Sequence, residues 1–409
     1  MISFDRAQQL LRNLDLEQEV ETLSAEDAPG RVLAQTIVAR EDVPGFRKSA
    51  MDGYAVRKVD LEGAAEDDPV ELEEIGTVEA GHSASNQLTS GTTLRIFTGA
   101  PVPPGADAVV MQERVERTEG NTVQFTEPAR RSNIRQKGEE LEEGDVLLEK
   151  GTVLNPAAVG LLMEQGYTGV PVVRSPSAAV VNTGDELIPA DGMPSMGQLR
   201  DSIGPALSVL LRQEFISPER RRVNDDREEL ATSLESLITD KNLVMVSGGV
   251  SVGDRDLTRD VLQDLGVEPL FWKVKQKPGK PVYLGRRGNT LVLGLPGNPV
   301  SSLVCYYLYG RPLIRKWRGF PEGQCRLPVV ETEVSNNDVS RRSRTVFARA
   351  RTVRTVDGYR SECLEHQGSH MLSGLAKANS LVRVPAEENK QRTRHEAYLL
   401  PERLEEVLG

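Results

Sequence analysis

Leu243-Val-Met-Val246, running into Ser247-Gly-Gly-Val-Ser-Val-Gly253, is the stretch that decides the fold. The apolar, β-favouring run has the length of a fully buried parallel strand, and the glycines after it break the strand. Glycine lets the backbone approach an anion closely, and the first N–H groups of the following helix have no partners within it, so a phosphate fits this turn. The helix places Leu257, Val261, Leu262 and Leu265 on one face. Asp254, Asp256 or Thr258 is available to cap its start, and Gly266 to end it.

Further on, Phe271-Trp-Lys-Val-Lys-Gln-Lys277-Pro-Gly-Lys280-Pro281 gathers positive charge, with Lys277 and Lys280 flanking a Pro-Gly turn and Lys273 just before it. The strand Thr290-Leu-Val-Leu-Gly-Leu295 then turns through Pro296-Gly-Asn-Pro299 into an apolar helix from Val300 to Trp317. Before the opening stretch come a strand Ala178-Ala-Val-Val-Asn182, the loop Thr183-Gly-Asp-Glu-Leu187 and a helix from Ile203 to Phe215. A strand near Arg222, the pair Asp225-Asp226 and a helix to Ile238 follow. This alternation predicts a doubly wound, mostly parallel α/β domain whose strand-end loops share one crevice. The loops would bring together carboxylates (Asp185, Glu186, Asp225, Asp226, Asp256), the amides of the Gly248–Gly249 turn and three lysines. Hard oxygen ligands opposite phosphate-binding cations suit a magnesium-assisted phosphoanhydride site. Each piece alone is ordinary: Asp256 serves equally well as a helix cap, and glycine turns at strand ends are common.

Residues 3–23 carry Phe4, Ala7, Leu10, Leu11 and Leu14 at helical spacing, and Ser24–Asp27 resembles the start of a second helix. Val43-Pro-Gly-Phe46 is a loop that leads to Ser49-Ala-Met-Asp-Gly-Tyr-Ala-Val56, with Asp52 at a turn. Taken alone, that aspartate is more simply bonded to its own backbone than to a ligand. From about 70 to 127, short β-branched runs separated by turn residues predict β structure. Asn133–Glu140 mixes charges around Gly138 as a solvated loop would. Val153–Gly166 reads as a helix, and Pro171 and Pro176 as a linker. The last segment, with Thr345-Val-Phe-Ala-Arg349 and Ser380-Leu-Val-Arg-Val-Pro385, fits a small barrel or sandwich. His366 and His370 lie four apart, but Gly368 between them and the lack of a third ligand argue against a metal pair.

A net charge of −11 argues against broad nucleic-acid or anionic-membrane binding, so the lysine cluster reads as a local site. Cys305, Cys325 and Cys363 are odd in number and show no CxxC spacing, which suggests neither a disulfide framework nor a structural zinc. No apolar run approaches the ~20 residues of a membrane span, and a cytoplasmic location is expected.

The motifs Ser49–Val56, Thr98-Gly-Ala-Pro-Val-Pro103, Thr183–Leu187, Ser247–Gly253, Lys277–Pro281, Leu295–Ser301 and His366-Gln-Gly-Ser-His370 stand in this order along the chain. In this the chain resembles the molybdopterin molybdenumtransferases of molybdenum-cofactor biosynthesis, a family that includes the C-terminal domain of gephyrin. The resemblance implies four domains: a discontinuous N-terminal one (1–38 plus 140–172), an inserted β-rich one (39–139), the α/β domain (173–320) and a C-terminal β barrel (321–409). It implies a homodimer whose active site lies between subunits. Asp52, Thr98, Arg135 and Glu140 would come from one chain, and Glu186, Asp226, Asp256, Lys273, Lys277, Lys280, Pro296 and Pro299 from the other. Gly248, Gly249 and Ser251 of the glycine turn, with Arg349 and Ser369, are further substrate-binding candidates.

The implied reaction is molybdate-dependent cleavage of adenylylated molybdopterin to molybdenum cofactor and AMP. Asp52, Glu186, Asp256, Lys273 and Lys277 are its catalytic candidates, and Glu186, Asp226 and Asp256 its magnesium ligands. A molybdopterin adenylyltransferase is the implied partner. Three positions depart from the family pattern: Asn182 where Ser is usual, Glu140 for Asp, and Ile203 for Asn. The alternatives are the adenylyltransferase itself, which usually lacks the Ser49–Val56 domain, and a non-catalytic molybdopterin-binding scaffold.

Overall fold

The computed structural model describes residues 1–83, 86–118, 120–249, 257–335, 343–386 and 394–408. Its centre is a six-stranded sheet in which Glu219–Val223, Ala178–Thr183, Leu243–Ser247 and Thr290–Leu295 lie side by side and parallel. Tyr283–Arg287 and Glu268–Trp272 add an antiparallel edge. The parallel strands read as unbroken apolar runs because helices cover both faces. Helix Ile203–Gln213 and the helix that begins at Pro299 pack on one face, and helices Arg227–Asp240 and Leu257–Asp264 on the other. Val244, Met245, Leu291 and Leu293 are fully buried between these layers, each contributing about 1.5–3 kcal/mol of transfer free energy.

The expected helix from Val300 to Trp317 is continuous but changes pitch: α over Pro299–Cys305, π over Tyr306–Gly310, α again over Arg311–Trp317. Pro312 has no N–H for the Leu308 carbonyl four residues back. Buried Gln8 fills the gap, its Nε2 donating to Leu308 O at 2.8 Å.

The inserted segment folds around a second six-stranded sheet, ordered Ala108–Met111, Gly53–Val56, Thr92–Ile96, Val70–Val78, Thr122–Phe125 and Val115–Arg117. Near the C-terminus, Thr345–Thr355, Gly358–Cys363, Val329–Val334, Arg394–Leu399 and Ser380–Val384 pair in that cyclic order and close on themselves, so the segment is a five-stranded barrel.

Three expectations for the flanks are corrected. The N-terminal helix covers only Phe4–Arg12, capped by Ser3 at one end and Asn13 at the other. β-Branched Val20 and Thr22 belong instead to a strand, Val20–Ser24, paired antiparallel with Gly169–Val173. Pro171, expected in a linker, therefore stands inside a strand opposite Thr22, in a two-stranded ladder where its missing N–H is tolerated. No helix starts at Ser24: Gly30 takes a left-handed turn, and Val32 and Leu33 form single bridges to Val153 and Val172. Phe4, Ala7 and Leu11 pack into the α/β core, where the Phe4 ring lies 4.8 Å from Phe347 of the barrel. Among the described residues no helix is long and apolar enough to cross a membrane.

Candidate active site at the carboxyl ends of the central sheet

The sheet order places the first strand of the α/β unit, Ala178–Thr183, between the second, Glu219–Val223, and the third, Leu243–Ser247. The chain leaves the first strand toward one side and returns on the other, which opens a crevice between Ala178–Thr183 and Leu243–Ser247. Register aligns the mouth of that crevice. Asn182 pairs with Ser247 and Ser247 with Leu295, so three turns begin at one level.

A cavity of about 850 Å³ lies there, within the range of small-molecule sites. Asn182, Thr183 and Glu186 line it from the first turn, Ser247, Gly248 and Gly249 from the second, and Pro296 to Pro299 with Ser301 from the third. Arg200 to Ile203, Asp225, Pro281 and His370 complete the wall. The glycine at 248 is required: its φ is +102°, and a Cβ would lie 2.5 Å from Thr183 Oγ1. The turn is also tied from behind, where buried Thr258 donates its hydroxyl to Gly248 O at 3.2 Å.

Two residues of the cavity wall carry buried donors without a partner among the described residues. Asn182 and Thr183 are 2% and 6% exposed, yet among those residues Asn182 Nδ2 and Thr183 Oγ1 make no hydrogen bond. Burying such groups unpaired costs about 1–3 kcal/mol each. A ligand acceptor would remove that cost.

Of the residues expected from sequence, the structure brings Glu186, Gly248, Gly249, Pro296 and Pro299 to this cavity. Ser251 and Asp256 lie outside the described residues. Asp226 is placed elsewhere: its Oδ1 accepts from the Glu228 and Glu229 amides at 3.0 and 2.9 Å, capping helix Arg227–Asp240. Its neighbour Asp225 lines the cavity instead. The lysine turn forms an adjoining wall through Pro281. Lys277 is exposed and Lys280 half-buried, and among the described residues neither is ion-paired. Lys273, in the left-handed region, stacks its ammonium 3.6 Å from the centre of the Trp272 ring.

Arg349 is fully buried rather than ligand-facing. Its guanidinium donates to the carbonyls of His366 and Gly368, and burial lowers its pKa. It thereby holds the His366–His370 loop in place. From that loop Ser369 O accepts the Val300 amide at 3.2 Å, and His370 reaches the cavity. Sequence reading missed Arg200, Ser301 and His370. The last two carried a signal, their places in the Leu295–Ser301 and His366–His370 motifs; Arg200 carried none.

Asp52, Thr98, Arg135 and Glu140 do not line this cavity. The first three gather at the Ser49–Asp52 turn of the inserted segment, where Ile134–Arg135 pairs with Lys48–Ser49 and Gly99 N donates to Ser49 O at 2.9 Å. The Thr98 hydroxyl and amide both donate to Asp52 Oδ1 at 2.7 Å, which holds that carboxyl below the usual carboxylate range and keeps it ionised near neutral pH. Glu140 is exposed and anchored by its amide to Val43 O.

The sequence of residues 2–166 matches the MoeA N-terminal region (domain I and II), 179–316 a probable molybdopterin binding domain, and 335–393 the MoeA C-terminal region (domain IV). A molybdopterin molybdenumtransferase of Haemophilus influenzae is 35% identical over 389 residues, covering 93% of this chain and 94% of its own length. The chain belongs to the MoeA family, the molybdopterin molybdenumtransferases. A Nostoc relative of the same name is 34% identical over 92% of the chain and 87% of its own length. The crystal structure of a molybdopterin biosynthesis MoeA protein from Pyrococcus horikoshii superposes with a TM-score of 0.81 at 29% identity, covering 98% of this chain and 99% of that one. In this MoeA-family chain every residue lining the strand-end cavity except His370 falls within the segment matched to the molybdopterin binding domain, and His370 within that matched to the C-terminal region.

Proposed function

We propose that the chain transfers molybdenum from molybdate to adenylylated molybdopterin, releasing AMP and molybdenum cofactor. The observation that carries this reading is a nucleotide-sized cavity beside the Gly248 turn, lined by Asn182 and Thr183, whose buried donors Nδ2 and Oγ1 have no partner among the described residues. The turn receives a phosphate through backbone amides, the two donors take ligand acceptors, and Lys277 and Lys280 neutralise oxyanion charge. Asn182 supplies a longer polar arm than the Ser usual in the family. Ile203, 8% exposed, is part of the core, while its amide and that of Gly204 bond to Asp201 Oδ1 at 3.1 and 3.0 Å.

The donor set also suits magnesium, which is typically held by one or two carboxylates together with substrate phosphates. Glu186 and Asp225 on the cavity wall would hold it, with Asp256 as a further ligand. When bound, it supplies polarisation of the phosphate oxygens. Asp52, Thr98, Arg135 and Glu140 would complete the site from a second copy of the chain, since in their own chain they stand away from the cavity. A cytoplasmic homodimer working with a molybdopterin adenylyltransferase is the corresponding assembly.

The test mixes the protein with adenylylated molybdopterin, magnesium and molybdate and measures AMP. Release is expected only with molybdate present, and chelation of the divalent ion is expected to stop it. Co-assembling an Asp52→Ala chain with a Glu186→Gln chain is expected to restore one working site per mixed dimer. Release that ignores molybdate would sink the reading, and mixed dimers no better than either parent would remove the shared site.

A further inference from the structure

We infer that Gln276, Tyr309 and Cys305 form a buried bracket that sets the Lys277–Lys280 turn beside the cavity, making them positioning residues for oxyanion capture. This deepens the function proposed above and rests on it. All three side chains are 0% exposed, directly beneath a turn whose lysines face outward. None of them touches the cavity.

The Gln276 side-chain amide is fully used. Its Oε1 accepts from the Tyr309 hydroxyl, and its Nε2 donates to Pro278 O at 3.0 Å and to Cys305 Sγ at 3.7 Å. The Cys305 thiol in turn donates to Gly279 O at 3.7 Å. Burial raises the pKa values of both Tyr309 and Cys305, so each stays protonated and able to donate. These directions leave one orientation of the amide: turned over, Oε1 would face the Pro278 carbonyl, acceptor against acceptor. Two successive carbonyls of the turn, at Pro278 and Gly279, are thereby gripped from below.

Shape makes the grip close. Gly279 has a φ of +87°, and a Cβ there would lie 2.3 Å from Cys305 Sγ and 2.9 Å from Gln276 Nε2. The main chain sits directly on the bracket. Cys305 and Tyr309 belong to the helical segments that start at Pro299, and Pro299 and Ser301 line the cavity. One rigid element thus both forms a wall of the cavity and fixes the lysine turn relative to it. The ends of the turn are pinned as well: Val274 N donates to Lys280 O at 2.9 Å, and Lys275 N to Ile2 O at 2.8 Å. A charge captures an anion best when its anchor does not have to be ordered at the moment of binding.

A bracket that only filled space would affect folding and little else. The test therefore measures molybdate-dependent AMP release across molybdate concentrations for Gln276→Met, Tyr309→Phe and Cys305→Ala, alongside thermal unfolding. Gln276→Met keeps the volume and loses every hydrogen bond of the amide. It is expected to raise the KM for molybdate on the order of tenfold, with kcat at saturating molybdate changed by less than about threefold. Tyr309→Phe leaves both Nε2 donors in place and is expected to raise KM less than Gln276→Met. Should Gln276→Met not fold, the Tyr309→Phe, Cys305→Ala double variant is read by the same criterion. A molybdate KM within about twofold of the parent overturns the inference, as does a fall in kcat with KM unchanged. A parent protein that releases no AMP with molybdate would instead overturn the function on which the inference rests.

Discussion

Replacing Glu186 by Gln is expected to lower molybdate-dependent AMP release by about 10²- to 10³-fold while leaving the fold intact. Glu186 stands on the cavity wall, on the loop after strand Ala178–Thr183. Its backbone is fixed independently of its charge: Leu199 N donates to Glu186 O at 2.7 Å, and Leu187 N to Gly184 O at 3.1 Å. Gln has nearly the same shape, so the substitution removes the negative charge and little else. If that carboxylate helps to hold the divalent ion against the anhydride, its loss falls on the transition state and lowers kcat. Thermal unfolding should coincide with that of the parent. A Glu186→Gln enzyme within about twofold of parental activity would remove the residue from the chemistry.

The second large effect is on stability and lies far from the cavity. Glu214 is 4% exposed and faces three guanidinium groups: Arg318 Nη1 at 2.7 Å, Arg315 Nε at 2.8 Å and Arg311 Nε at 3.4 Å. Arg318, itself 2% exposed, extends the network by donating to Gly30 O at 2.8 Å, tying helix Arg311–Trp317 to the N-terminal segment. Burial pushes its pKa down to about 10, so it stays charged at neutral pH. Glu214→Ala would leave that charge in the interior without its counter-ion, at an expected cost of about 3–5 kcal/mol. Trp317, buried one residue before Arg318, makes a local reporter. Its fluorescence transition in urea should move to lower denaturant by that amount, and a shift worth less than about 1 kcal/mol would contradict this account of the network.

The α/β unit was legible because its strands are pure runs of apolar β-formers and its turns are marked by Gly and Pro. Leu243–Ser247 and Thr290–Leu295 fall where their patterns put them. The N-terminal segment was not. Leu14 continues the helical spacing of Phe4, Ala7 and Leu11, but Asn13 ends the helix, and the pairing of Val20–Ser24 with a strand about 150 residues away has no local signal. Charge at the site was legible only as composition. Adjacent aspartates at 225 and 226 look equivalent in sequence, yet the one directly before helix Arg227–Asp240 caps it and the other lines the cavity. Arg349 shows the same limit, since nothing nearby in sequence announces that its guanidinium is enclosed by the His366–His370 loop.

The most direct measurement is a crystal structure of the protein grown with AMP and molybdate. The account predicts the nucleotide in the strand-end cavity, its phosphate at the glycine turn on the Gly249 amide, since the Gly248 amide donates to Leu295 O, and Asn182 Nδ2 and Thr183 Oγ1 each donating to the ligand. AMP bound instead in the cleft between Gln8, Lys316 and Arg326, with the strand-end cavity holding only solvent, would contradict it.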